Sequence, residues 1–151
     1  MATSVIPAVI DAVVSRARAN LPSICVYDGF GVSDDPGDFL MVGVDDPERQ
    51  DSAYSADSQQ DWAHANNTAR DEVGDVTCAA LSWNGDADQK RARDAAFATC
   101  AALEVLLRAD PSLGGIVLWT SYGTSTQLTQ NQNGNGALAL VVFKVHFRAR
   151  I

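Results

Sequence analysis

Basic residues are scarce in this chain. Lys and Arg together number 11 of 151 residues against 19 Asp and Glu, giving a formal charge of −8. A protein that wraps nucleic acid needs basic patches to displace counterions from phosphates, so that class is excluded as a first reading. Cysteine is nearly absent as well: Cys25, Cys78 and Cys100 are an odd number and share no C-x-x-C spacing. That argues against a disulfide framework or zinc site and suits a reducing compartment. No apolar run reaches the length of a membrane span. The first residues lack the basic stretch of a secretion signal, and Asp11 interrupts their apolar positions. Catalytic signatures are missing too. There is no Gly-x-Ser-x-Gly elbow, and Asp28-Gly29-Phe30-Gly31 has neither the glycines nor the Lys-Ser/Thr of a phosphate loop.

What the chain does have is an alternating pattern over its last third. From Ala137 to Ile151 every odd position is apolar, and the even positions become basic from Lys144 through His146, Arg148 and Arg150. A side-chain period of two over this length specifies a half-buried strand. Ile116 to Leu128 reads as a second strand, and the amide- and glycine-rich Thr129–Gly136 as the tip joining them. The run from Thr120 to Asn135 is rich in hydroxyl and amide groups and holds no acid, base or nucleophile pair. Such a surface suits packing against another protein.

The remaining pattern reads as α, four short strands, α, two long strands. Ser4 is the expected N-cap of a first helix, with Ile6, Ile10, Val13 and Ala17 on one face and Val9 and Val14 beside them. Asn20-Leu21-Pro22 ends it. Strands follow over Ile24–Tyr27, Phe39–Val44, Gln59–Asn66 and Glu72–Trp83, with a long acidic loop over Asp45–Asp57. Asp86 and Gln89 have capping-box spacing for a second helix that runs to about Ala109. Asp110-Pro111 and Gly114-Gly115 stop it. Residues 1–151 are expected to form a single α+β domain, a mainly antiparallel sheet with two helices packed on one face, order α-ββββ-α-ββ.

Charge is divided along the chain. Residues 1–89 hold sixteen acids and four bases (−12), and residues 90–151 three acids and seven bases (+4), which sum to −8. Copies of such a chain can attract one another, acidic front to basic back. The acids Asp28, Asp34, Asp35, Asp38, Asp45 and Asp46 lack the D-x-D-x-D-G order and distal Glu of a calcium loop. His64 and His146 have no second histidine nearby, and neither is expected to hold a metal. Asn66-Asn67-Thr68 has the form of a glycosylation sequon, which matters only in a secreted protein. Trp62, Trp83 and Trp119 are read as sheet-packing residues, with Trp119 also a possible interface anchor. No catalytic residue, metal or cofactor is expected.

Several segments, taken in order, resemble the tail terminator proteins of long-tailed, siphovirus-type bacteriophages of actinobacteria. They are Val5-Ile6-Pro7-Ala8-Val9-Ile10-Asp11, Val26-Tyr27-Asp28-Gly29 and Ser33-Asp34-Asp35-Pro36-Gly37-Asp38. Further along come Met41-Val42-Gly43-Val44-Asp45-Asp46-Pro47, Ala80-Leu81-Ser82-Trp83-Asn84-Gly85-Asp86 and Leu118-Trp119-Thr120-Ser121-Tyr122-Gly123. Gln127-Leu128-Thr129-Gln130 and Phe143 to Ile151 complete the set. The resemblance implies a structural virion protein at the tail–neck junction, assembled in the host cytoplasm. It implies a ring, usually a homohexamer, that caps the tail tube, ends its polymerisation and offers a surface to the head-closure or connector protein. DNA would pass through the channel without specific binding. Partners would be further copies of the chain, the major tail tube protein and the connector, with no membrane.

The resemblance supplies no catalytic residues. The residues themselves suggest Trp119, Tyr122, Gln127, Gln130, Gln132, Lys144, Arg148 and Arg150 for a ring or tube interface. They suggest Asp34, Asp35, Asp45, Asp46, Glu48 and Asp51 for acidic loops facing the lumen or a neighbour. Edge strands and loops would join copies in a closed heterologous ring, burying roughly 1,200–2,000 Å² at each interface. The basic even face from Lys144 to Arg150 is the expected counterpart of a neighbour's acidic region 28–61. Alternative readings are another neck component, such as a head-closure or tail-completion protein, or a small acidic ligand-binding, metal-dependent or hydrolase domain.

Overall fold

The computed structural model describes residues 2–31, 33–49, 53–66 and 68–151. Among them the chain forms α1 (Ile6–Asn20), β1 (Cys25–Asp28), β2 (Gly37–Val42), β3 (Ala56–Trp62), β4 (Arg70–Asn84), α2 (Gln89–Ala109), β5 (Trp119–Asn133) and β6 (Gly136–Arg150). The fold is α+β, in the expected order. The described residues build one six-stranded sheet in the order β1-β2-β4-β6-β5, with β3 also paired to β4. All pairs are antiparallel except β1 with β2. The fifteen-residue β4 is shared along one edge: Arg70–Val76 bind β3, and Cys78–Trp83 bind β2. Its other edge binds β6 from Asp71 to Asn84.

Alternation assigns each side chain a face. Val76, Cys78 and Ala80 of β4 and Ala137, Val141, Phe143, Val145 and Phe147 of β6 point to the helices and form the main core. Gly74 is needed where the Phe147 ring crosses it, because a Cβ there would lie 2.8 Å from that ring and 2.3 Å from the Asp57 carbonyl oxygen. α1 contributes Val9, Val13, Val14 and Ala17 to this core, with Ile6 and Ile10 at its margin. α2 contributes Ala92, Ala96, Thr99, Cys100, Leu103 and Leu107. α1 lies over the β1–β3 side of the sheet and α2 over the β6–β5 side.

The caps differ from expectation. The cap residue of α1 is Val5, whose side chain has no hydrogen-bonding group. Its N–H donates instead to the carboxylate of Glu72, at 2.8 Å. Ser4 Oγ accepts from the Ile6 N–H and donates to the same carboxylate. At α2 the cap is Asp88, accepting from the Arg91 N–H at 3.1 Å. Asp86 and Gln89 form no capping box: Asp86 binds the Arg91 guanidinium, and Gln89 donates to the Leu138 carbonyl. The extended backbone of Asp88 puts its oxygen, not that of Asp86, under the first turn.

Strand limits also move. β3 begins earlier than its weak alternation suggests, because its register is set by β4 across the turn closed by Ala63 and Ala69. β5 starts and ends later than the apolar run. Leu113 and Val117 are buried in the turn before it, while Thr129–Asn133 are drawn into the ladder by β6. The tip therefore shrinks to Gly134 and Asn135.

Candidate functional site

The sheet face away from the helices has two halves. Toward the hairpin tip, Met41, Val44, Ala79 and Leu140 are buried in a second, smaller cluster with Tyr27, Phe30, Leu81, Leu138 and Val142 against it. Gly31, Ser33, Pro47 and Glu48 border a cavity of about 240 Å³ over Leu138 and Leu140. Toward the base of the hairpin the same face is charged, with Asp71 and Asp75 of β4 beside Lys144, His146, Arg148 and Arg150 of β6.

These charges are matched within the chain. Arg150 places Nε and Nη2 2.8 and 3.0 Å from the two Asp71 oxygens, and Arg148 Nη2 lies 3.5 Å from Asp71. The Arg150 hydrogen bond holds the Asp71 carboxyl below its ordinary range. His146 Nδ1 lies 2.7 Å from Asp75, and its ring leans on Trp119 with centroids 5.3 Å apart. Arg148 and Arg150 thus share a single carboxylate within the single copy. Lys144 makes no ion pair among the described residues.

Asp75, His146 and Ser121 stand on neighbouring strands in direct register. They border a cavity of about 450 Å³ with Tyr122, Gly123, Thr124, Ser125 and Lys144. His146 bonds to Asp75 through Nδ1, and Ser121 makes no side-chain hydrogen bond among the described residues. Burial pushes the thiols up, Cys78 to about 12 and Cys100 to about 11, which keeps both protonated and poorly nucleophilic. Among the described residues no three His, Cys, Asp or Glu side chains are grouped to hold a metal ion.

The interface candidates separate by face. Trp119 and Gln127 lie on the open face. Tyr122 turns to the helices instead, stacked on Phe143 at 4.9 Å, with burial raising its hydroxyl to about 12. Gln130 accepts from Arg93 of α2, and Gln132 donates to the Ala87 carbonyl, so both fasten the hairpin to the start of α2. Of the acids, Asp34 and Asp35 are exposed in the β1–β2 connection. Asp45 accepts from the Tyr54 N–H, and Asp46 accepts from the Glu48 N–H and pairs with Arg49. Asp51 lies outside the described residues. The two candidate groups meet inside one copy: Asp45, Asp46 and Glu48 face Gln127, Thr129 and Gln130 across a cavity of about 540 Å³.

Other features escaped the sequence reading. Phe97 and Val105 are exposed on α2 with Ala101 between them, an apolar stripe off the core-facing one. Their i, i+8 spacing was the available signal. Trp62 is not a packing residue; it is 58% exposed, with the Arg70 guanidinium 5.6 Å from its ring. Ile116, Leu118 and Trp119 are exposed together at the hairpin base. No helix among the described residues is long and apolar enough to cross a membrane. Comparison with known proteins finds no family model that matches this chain and no curated protein that matches it.

Proposed function

We propose that this chain is a structural virion protein whose copies form a ring that caps a phage tail tube, ends tube polymerisation and presents a joining surface to the head connector. The observation that carries this reading is the outer strand of the hairpin. β5 is fifteen residues long and exposed at nearly every position beyond Ser121. It has no charge, and exposed apolar residues stand just before it at Ile116 and Leu118 and within it at Trp119 and Leu128. A large uncharged surface with a few apolar anchors suits permanent assembly better than solvent.

The ordered resemblance to tail terminators supplies the kind of assembly, and the acidic balance is compatible with a channel through which DNA passes without sticking. The ring is a homohexamer in this reading, located at the tail–neck junction. Adding the purified chain to polymerising tail tube protein tests it. Tubes should stop elongating and carry a ring at one end in electron micrographs. Tubes that grow to the same length distribution with and without the chain, and bear no ring, overturn the reading.

A further inference from the structure

Among the described residues, β5 and β3 each keep a backbone edge without hydrogen bonds. From Thr126 to Asn133, β5 pairs only with β6, and its outer N–H and C=O groups make no hydrogen bond among the described residues. Every residue of this run is exposed, and none is charged or proline. Soluble proteins guard such an edge with lysine, proline or a bulge, because it is a template for another strand. The only irregularity of β5 among the described residues is the Gly123–Ser125 bulge, which lies before this run. On the other side of the sheet β3 pairs only with β4, and its outer edge is likewise unbonded among the described residues.

The two edges match in length, seven residues against eight. Asp57 and Asp61 of β3 form no ion pair among the described residues. Beside β5, Lys144 stands on the open face, which Asp45, Asp46, Glu48 and Arg49 also border, and Arg93 on the covered face; neither Lys144 nor Arg93 has an acidic partner among the described residues. Arg93 touches Gln130, and Lys144 stands opposite the bulge.

We infer that the β5 edge of one copy takes the β3 edge of a second copy, so that the sheet continues from copy to copy. This rests on the ring reading and specifies its joint. Within a copy, β3 runs antiparallel to β5, since three successive antiparallel pairings separate them. A rotation about an axis along the strands preserves their directions, so the new pair is antiparallel. Open faces then meet open faces. In the register that sets Asp61 opposite Gln127, Asp57 stands opposite Asn131, and Lys144 lies one strand further on. Because two different edges meet, the contact is heterologous and can close into a ring.

The test measures the mass of the full chain by sedimentation over a range of concentrations, with two edge variants. Gln127→Glu with Asn131→Glu sets acids against Asp61 and Asp57. Asp57→Lys with Asp61→Lys replaces the open-face acids of the joint by bases, on the same face as Lys144. Like charges placed opposite one another across a ladder are destabilising, so each pair of changes should raise the concentration needed for assembly about tenfold. Combining all four in one chain should restore assembly, and thermal melts of the variants check that the single copy stays folded. Assembly of both variants at the wild-type concentration overturns the edge pairing while leaving the ring intact. A mass that stops at a dimer also overturns it, in favour of β5 meeting β5 about a two-fold axis. A wild-type chain that stays monomeric to its solubility limit overturns it too, and the capping reading is then judged on tube length alone.

Discussion

β5 and β6 are the same length, lie side by side and run the full height of the sheet, yet they share almost nothing in composition. β6 has neighbours on both edges and helices above it, and its odd positions are buried from Ala137 to Ala149. β5 has a neighbour on one edge only and, beyond Tyr122, mixes strand-favouring Thr with Ser, Gln, Asn and Gly and a single Leu, so that no apolar alternation marks it. It is a strand because β6 offers it a ladder. Position in the sheet, more than intrinsic propensity, decides what each strand can be made of. A strand that must be buried on one face announces itself by alternation. A strand that is only recruited does not.

The comparison breaks if removing a large side chain costs the same in both strands. Phe143 is 1% exposed in the main core, and Phe143→Ala should lower unfolding stability by about 3–5 kcal/mol in urea melts. Leu128 is 39% exposed on β5, and Leu128→Ala should cost under about 1 kcal/mol. Equal losses would mean that β5 is packed as tightly as β6.

The tip between the strands gives a somewhat smaller contrast. Gly136 has φ +125°, and a Cβ there would lie 1.9 Å from the Asn84 carbonyl oxygen, whereas one at Gly134 would meet nothing within 4 Å. Gly136→Ala should cost about 2–4 kcal/mol, from backbone strain and a clash with another strand. Gly134→Ala should leave the melting temperature within a few degrees of wild type. A tolerated Gly136→Ala would show that the hairpin tip can shift away from β4.

The fold was largely legible because most elements carry a period. The buried faces of α2 and β6 follow from spacing alone, and so does the order α-ββββ-α-ββ. What could not be read were features set by partners distant in sequence. Glu72 caps α1 from 67 residues away, and nothing near Val5 reveals it. Asp71 pairs with Arg148 and Arg150 only because β4 and β6 are neighbours in one register. Leu138, Leu140 and Val142 sit on the face that looks polar further along the strand, and their burial depends on Phe30, Val44 and Pro47 folding over them. Of the interface candidates, the amide run was legible as surface. The inward turn of Tyr122 was not, because the Gly123–Ser125 bulge hides the phase of the strand.

Consecutive acids on β4 carry the contrast between covered and open face down to single charges. Glu72 faces the helices, fully buried. Burial opposes its ionisation, but hydrogen bonds from Ser4, Ser58, the Val5 N–H and Gln60 outweigh that cost and hold its carboxyl below the ordinary value of about 4.5. A carboxyl depressed on folding adds stability above its ordinary value and loses it as pH falls through the folded one. Chemical melts should therefore show stability dropping below about pH 4.5, and Glu72→Gln should flatten that drop. Glu72→Ala should cost about 2 kcal/mol at neutral pH by stranding the donors. An unchanged acid limb in Glu72→Gln would assign the drop to other carboxylates.

Asp71, one residue earlier, meets Arg148 and Arg150 on the open face, where water and salt screen the pairing. Arg148→Glu with Arg150→Glu should therefore lower the melting temperature of the single copy only slightly. The loss should shrink at high salt and be recovered by adding Asp71→Arg. The same variants then separate two uses of the basic ladder. If ring assembly weakens far more than the melt, and Asp71→Arg does not restore it, the arginines also face a neighbour. If assembly and melt move together and Asp71→Arg rescues both, the ladder serves the single sheet, and the joint between copies lies at its outer edges.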